Sequence, residues 1–158
     1  MTAERTVRMT ALVDAVARAG LCLAFVYSGL AKLVDFPSAV AEQAHFGLQP
    51  AVFFAAATVV VQLGGATMVL FCRGRWRALG ALVLAGFTVA ATWIGHAFWT
   101  MQGTERFHNL NAFLEHAGLV GGFLLVAAHA WRDAATEHEA ARQPESPLSR
   151  PPTAPGSA

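Results

Sequence analysis

The stretch that decides the fold is "VFFAAATVVVQLGGATMVLFCRGRWRALGALVLAGFTVAATWIGHAFW", Val52 to Trp99. Two apolar runs flank a knot of arginines. No Asp, Glu, Lys or Arg occurs from Val52 to Cys72, and none from Ala78 to Trp99. Uncharged runs of about 18 residues or more are long enough to cross the hydrocarbon core of a bilayer as helices. A helix satisfies its own backbone in lipid, which an open strand does not. Arg73, Arg75 and Arg77 between the runs belong in water, so this segment reads as two spans joined by a short turn.

Two more apolar segments lie outside this pair. The pattern predicts helices over Leu12–Val34, Pro50–Cys72, Trp76–Trp99 and Leu110–Trp131, each about 22–24 residues. At about 1.5 Å per residue, each spans about 33–36 Å. Pro50 suits a first helical turn, and Trp76 and Trp99 suit the two interfaces. The expected fold is therefore an all-α integral membrane four-helix bundle. Composition agrees: 55% of residues are hydrophobic and 13% charged, against about a quarter charged in soluble domains.

At 158 residues the chain is one domain, expected over residues 1–133. Five of the seven prolines follow Asp133. That composition cannot bury a core, so residues 134–158 are expected to form a disordered cytoplasmic tail. The loop "DFPSAVAEQAHFGLQP", Asp35 to Pro50, has Pro37 near a helix start, Val40, Ala44 and Phe46 at helical spacing, and Gly47 as a stop. It predicts a short interfacial helix between the first two spans.

Basic residues set the orientation. Arg5, Arg8, Arg18, Arg73, Arg75, Arg77, Arg132, Arg142 and Arg150 fall on one side, and Lys32 and Arg106 on the other. The excess places both termini in the cytoplasm. Asp14 and Arg18 interrupt the apolar run that a cleaved signal peptide needs, so the first segment reads as a retained span. The net charge of +1, with no basic stripe, gives no reason to expect nucleic acid as a partner. Cys22 and Cys72 form no C-x-x-C pair and read as structural thiols.

Function has to be sought among the polar residues inside the spans, because lipid penalises them unless they are paired or used. In the first span Arg18, Cys22, Phe25, Gly29 and Lys32 share one face. Gln62 lies near the middle of the second, beside Gly64 and Gly65. Thr88, Thr92, His96 and Trp99 share a face of the third. The fourth carries Asn111, Glu115, Gly118 and Gly122 on one face, with His116 a step round. Lys32, His96, Glu115 and His116 should then lie at similar depth near the outer surface, with Glu115 facing Lys32. Lys32, Gln62, His96, Glu115 and His116 are the candidate ligand-binding residues; a purely structural polar network explains them as well.

Other chemistries lack parts. A single b-type haem between His96 and His116 is a weak reading, and two haems fail because His129 has no facing histidine. Glu115 and His116 point about 100° apart on a helix and poorly share a metal ion, so no metal site is assigned. The chain has no phosphate-cradling glycine loop and no G-x-S-x-G nucleophile, so no cofactor motif is evident and standalone catalysis is not assigned.

Three stretches together resemble the DoxX family of small four-span membrane proteins: "RAGLCLAFVYSGLAKLVDFPSAVAEQAHFGLQP", "VQLGGATMVLF" and "NAFLEHAGLVGGFLLVAA". The resemblance runs from about Val13 to Trp131, and Lys32, Gly118, Gly121 and Gly122 match the family's positions. Many relatives carry a glutamate where this chain has Gln62, and a lysine-asparagine pair where it has Glu115 and His116. The resemblance implies a bacterial cytoplasmic-membrane protein. Some relatives are subunits of quinone-linked sulfur oxidoreductases and others associate with redox or detoxification enzymes. The expected function is accordingly the membrane subunit or partner of a redox enzyme, with a soluble redox enzyme or second membrane subunit as partner. A quinone head group would lie near the candidate residues. The competing expectation is a non-catalytic scaffold or a small solute-binding or permeation module.

Overall fold

The structure is a computed structural model and describes residues 3–142. Its helices are α1 (Ala3–Val34), α2 (Phe36–His45), α3 (Ala51–Phe71), α4 (Gly74–Gly95) and α5 (Gly103–Arg142). A single 3-10 turn, Phe98–Thr100, links the last two. No strand occurs among the described residues. The helices α1, α3, α4 and α5 are the four long and apolar enough to cross a membrane.

These four pack in chain order, α1 on α3, α3 on α4 and α4 on α5. α1 meets α5 over a short stretch, where Leu21 crosses Gly122 and Phe25 packs edge-to-face on Phe123. Small residues make the other seams: Ala66, Ala78, Ala81, Ala85, Ala127 and Ala130 are all buried. In lipid no hydrophobic force drives helices together, so close backbone approach and dispersion contacts must hold them. Val69, Leu84, Phe123 and Cys22 fill what the alanines leave. Large side chains such as Val60, Trp93 and Leu124 point outward, where lipid tails would lie.

This packed core occupies one half of the bundle, toward the α3–α4 turn, the start of α1 and the end of α5 (the terminal end). α2 covers the opposite, capped end. Asp35 caps α2, its carboxylate accepting from the Ser38 amide at 3.2 Å and the Ser38 hydroxyl at 2.7 Å. Those bonds hold the Asp35 carboxyl below the usual carboxylate range. Gly47, at φ +74°, ends the helix in a left-handed conformation that other residues rarely adopt. The buried face of α2 is Ala39 and Gln43, one position earlier than the predicted Val40 and Ala44 stripe.

The helix bounds depart from expectation where polar residues extend a span past its apolar core. α1 begins nine residues early, and its extension carries an exposed Arg8–Glu4 pair at i,i+4 spacing. Pro50 is the N-cap of α3 and lies just outside its first turn. α4 stops at Gly95, so Trp99 belongs to the 3-10 turn, where Phe98 and Trp99 pack on Phe113 of α5. α5 passes the expected domain boundary at residue 133 and continues to Arg142. The run "DAATEHEAAR" is rich in good helix formers and holds no proline, so the assignment of a disordered tail is corrected for residues 134–142. The rest of that tail, 143–158, lies outside the described residues.

Candidate functional site

Above the packed core, the capped half of the bundle holds a half-open cavity of about 600 Å³. Phe25 and Phe87, packed edge-to-face at 6.3 Å, close it toward the core. α2 roofs it with Glu42, Gln43 and Phe46. Most of its wall is apolar, as suits a lipid-soluble guest, and the polar side chains form two groups.

The first group joins α1, α2 and α3. Lys32 Nζ pairs with Glu42 Oε2 at 2.7 Å and lies 3.4 Å from Ser28 Oγ. Gln62 Nε2 donates to the same Ser28 hydroxyl at 3.2 Å. Gln62 is buried, and its Oε1 has no hydrogen-bond partner among the described residues. Leaving a buried acceptor unsatisfied costs about 1–3 kcal/mol, a cost that a donating ligand would remove.

The second group joins α4 and α5. His116 Nδ1 lies 2.7 Å from Thr92 Oγ1, and His96 Nδ1 lies 2.9 Å from Asn109 Oδ1. The network assigns both tautomers. Thr92 has one hydroxyl proton, which goes to the Thr88 carbonyl at 2.6 Å, so Oγ1 receives the proton of His116 Nδ1. Asn109 Nδ2 donates to the Glu105 carbonyl at 3.0 Å, which turns Oδ1 toward His96 as an acceptor. In its neutral form each imidazole therefore carries its proton on Nδ1 and leaves Nε2 as a bare acceptor. Their rings meet edge-on, centroids 5.0 Å apart. No group of three or more metal-ligating side chains occurs among the described residues.

Lys32, Gln62, His96 and His116 thus line one cavity. Glu115 does not: it is exposed on the outer face of α5, and the expected Lys32–Glu115 pair is replaced by Lys32–Glu42. The reason is the rotation of α5. Phe123, Ala127 and Ala130 fix its inward stripe, and His116 continues that stripe at helical spacing. Glu115, one residue back, is turned about 100° away. Sequence reasoning passed over Glu42, Gln43, Ser28 and Asn109. The α2 register held the signal for the first two, since a buried Ala39 carries Gln43 inward one turn later.

Fold and cavity together define a class: a four-span, all-helical integral membrane protein whose one half is packed and whose other half holds a helix-capped polar-and-apolar cavity. Within that class the chain belongs to the DoxX family, whose model matches residues 13–97. That match covers α1 to α4 and carries Lys32, Gln62 and His96; His116 lies beyond it. The chain is also similar to Inner membrane protein YphA of Escherichia coli (strain K12), with 27% identity over 112 residues, covering 71% of this chain and 79% of the relative. No solved structure matches it. It is a multi-pass protein of the bacterial inner membrane.

Proposed function

We propose that the cavity binds the ring end of a membrane-soluble quinol, and that the chain serves as the membrane subunit or partner of a redox enzyme. The observation that carries this reading is the polarity of the uncommitted atoms. Gln62 Oε1, His96 Nε2 and His116 Nε2 are free to accept hydrogen bonds, while the Lys32 ammonium is paired with Glu42. A guest with hydroxyl donors on an apolar ring fits that set better than one with carbonyls only. Phe25, Phe87 and Val61 offer flat apolar contact to such a ring.

In this reading Gln62 orients one hydroxyl and the histidine pair receives the proton of another, a task suited to imidazole near neutral pH. A bound quinol would supply the electrons, and their acceptor would have to lie in a partner protein. The rival reading of a permeation module needs an open path below the cavity, and the fully buried Leu84, Phe123 and Val69 stand in the way of one.

The test is binding of a short-chain quinol analogue to the purified protein under reducing conditions, with its quinone as the comparison. His116→Ala and Gln62→Leu should each weaken quinol binding about tenfold, the value of one such hydrogen bond. Glu115→Ala, outside the cavity, should leave it unchanged, and detergent-extracted yield controls for folding. Equal affinity in all three variants, or tighter binding of the quinone, would overturn the proposal. A soluble redox enzyme that co-purifies with the tagged chain would support the partner role.

A further inference from the structure

A second polar site lies at the other end of the bundle, apart from the capped cavity. Beyond their short crossing at Leu21 and Gly122, α1 and α5 diverge, and a crevice of about 270 Å³ opens between α1, α4 and α5. Asp14, Arg18, Arg77, His129 and Asp133 line it. Its depth is fixed by contacts: a Cβ at Gly74, the start of α4, would lie 3.4 Å from Ala134 Cβ. The crevice therefore sits at the level of the α3–α4 turn, where a span passes from hydrocarbon to headgroups.

Its charges are unevenly used. Asp14 pairs with Arg18, whose side chain is 12% exposed. Arg77 makes no ion pair among the described residues, and neither does Asp133. The Nε atoms of both Arg18 and Arg77 are buried and without a hydrogen-bond partner. Two guanidinium groups on different helices with unused N–H donors make a poor packing solution, since each repels the other and each has lost water. An occupant with several acceptor oxygens would resolve both problems, and the planar guanidinium favours phosphate.

We propose that this crevice holds the phosphate of a phospholipid headgroup from the leaflet at the terminal end, with Arg18 and Arg77 as donors. Asp133 receives the headgroup ammonium where there is one. The lipid source follows from position: the opening lies between lipid-facing helices at headgroup depth, where the acyl chains would run along the exposed flank of α1. Two arginines alone would favour any anion. The added Asp133 carboxylate matches a zwitterionic ethanolamine headgroup over an anionic glycerol one.

Native mass spectrometry of the full-length protein in detergent, titrated separately with phosphatidylethanolamine, phosphatidylglycerol and inorganic phosphate, tests this. The wild type should retain phosphatidylethanolamine in preference to phosphatidylglycerol. Arg77→Gln should lower retention of both lipids about tenfold, and Arg77→Lys should restore part of it. Asp133→Asn should lower retention of the ethanolamine lipid and spare the glycerol lipid. Arg75→Gln, on the same turn but outside the crevice, should change neither. If Arg77→Gln and Arg75→Gln lose lipid equally, the retention is general surface attraction and the site is refuted. If millimolar inorganic phosphate displaces the lipid, the occupant is a soluble phosphate compound and the lipid assignment is overturned. Thermal melting of each variant separates lost binding from lost fold, and Arg77→Lys keeps the proposal falsifiable should Arg77→Gln fail to fold.

Discussion

Gly80 is where the bundle has least room, and its replacement gives the sharpest test of how the cavity walls are positioned. A Cβ built at Gly80 would lie 2.5 Å from Met68 Cβ, 2.9 Å from the Gly65 carbonyl oxygen and 3.2 Å from the Val69 nitrogen. Two of those three atoms are backbone, so a side-chain rotation cannot relieve the clash and α3 must move away from α4. Overpacking of a well-filled core costs about 1–3 kcal/mol, and a backbone-limited contact belongs at the upper end, about 3 kcal/mol. For a chain of this size that corresponds to about 6–12 °C in melting temperature. Gly86 on the same helix is the control: nothing lies within 4 Å of its Cβ position, and Gly86→Ala should be neutral or stabilise by up to about 1 kcal/mol through helix propensity. The assay is thermal unfolding of the purified protein in one detergent, followed by circular dichroism, with Gly80→Ala, Gly86→Ala and wild type side by side. Because Gln62 stands on α3 and Thr88, Thr92 and His96 on α4, the same widening should weaken ligand binding in the capped cavity. If Gly80→Ala melts within a degree or two of Gly86→Ala, the α3–α4 seam is not limited by backbone contact and the reasoning fails.

Two further predictions concern the cavity's cap and its histidines. The Ser38 bonds keep the Asp35 carboxyl below its unfolded value, so its contribution is fully present above the unfolded carboxylate pKa of about 4 and is lost as pH falls through the lower folded value. Hydrogen exchange of α2 amides should therefore show protection that is flat above about pH 4 and declines below it, and Asp35→Ala should lower that protection at neutral pH. Nitrogen-15 spectra of the imidazoles at pH 8 should report Nδ1-protonated tautomers for both His96 and His116. Asn109→Ala should release His96 alone into a mixture of tautomers, and an unchanged His96 signal would refute the network assignment.

The sequence specified the spans because charge-free runs such as Val52–Cys72 leave a helix no other place to go. It was less informative about rotation about each helix axis. α1 was legible, since Cys22, Phe25 and Gly29 form one predicted face and are its buried residues. α5 was not, because apolar, small and polar residues occur on all sides of it. Its inward stripe is chosen by where Phe123 and the alanines of α4 interlock, a tertiary fact. That choice sends His116 into the cavity and Glu115 out of it. Helix ends were misread wherever good helix formers continued past the apolar run, as in "DAATEHEAAR". Glu42 was overlooked because a short loop helix has a strong register only once its partner surface is known.

The placement of Glu42 also accounts for a neutral side chain at position 62. A largely buried lysine on a cavity wall needs a counterion, since burying an unpaired ammonium costs several kcal/mol. A glutamate at position 62 would supply one from α3, because Gln62 and Lys32 already share Ser28 Oγ at 3.2 and 3.4 Å. Here α2 supplies it instead, at 2.7 Å, and position 62 is free to be neutral. The charge balance at Lys32 is thereby tied to docking of the cap. Glu42→Gln should loosen α2 and lower thermal stability, with the loss held to about 1 kcal/mol by the half-exposed position of Glu42. Gln62→Glu alone should place two carboxylates around one ammonium and also destabilise. The double variant Glu42→Gln/Gln62→Glu should recover a stability close to wild type, with a coupling energy of about 0.5–3 kcal/mol in a double-mutant cycle. Simple addition of the two losses would show that Lys32 does not choose between these partners, and that its pairing with α2 is incidental to how the cavity is closed.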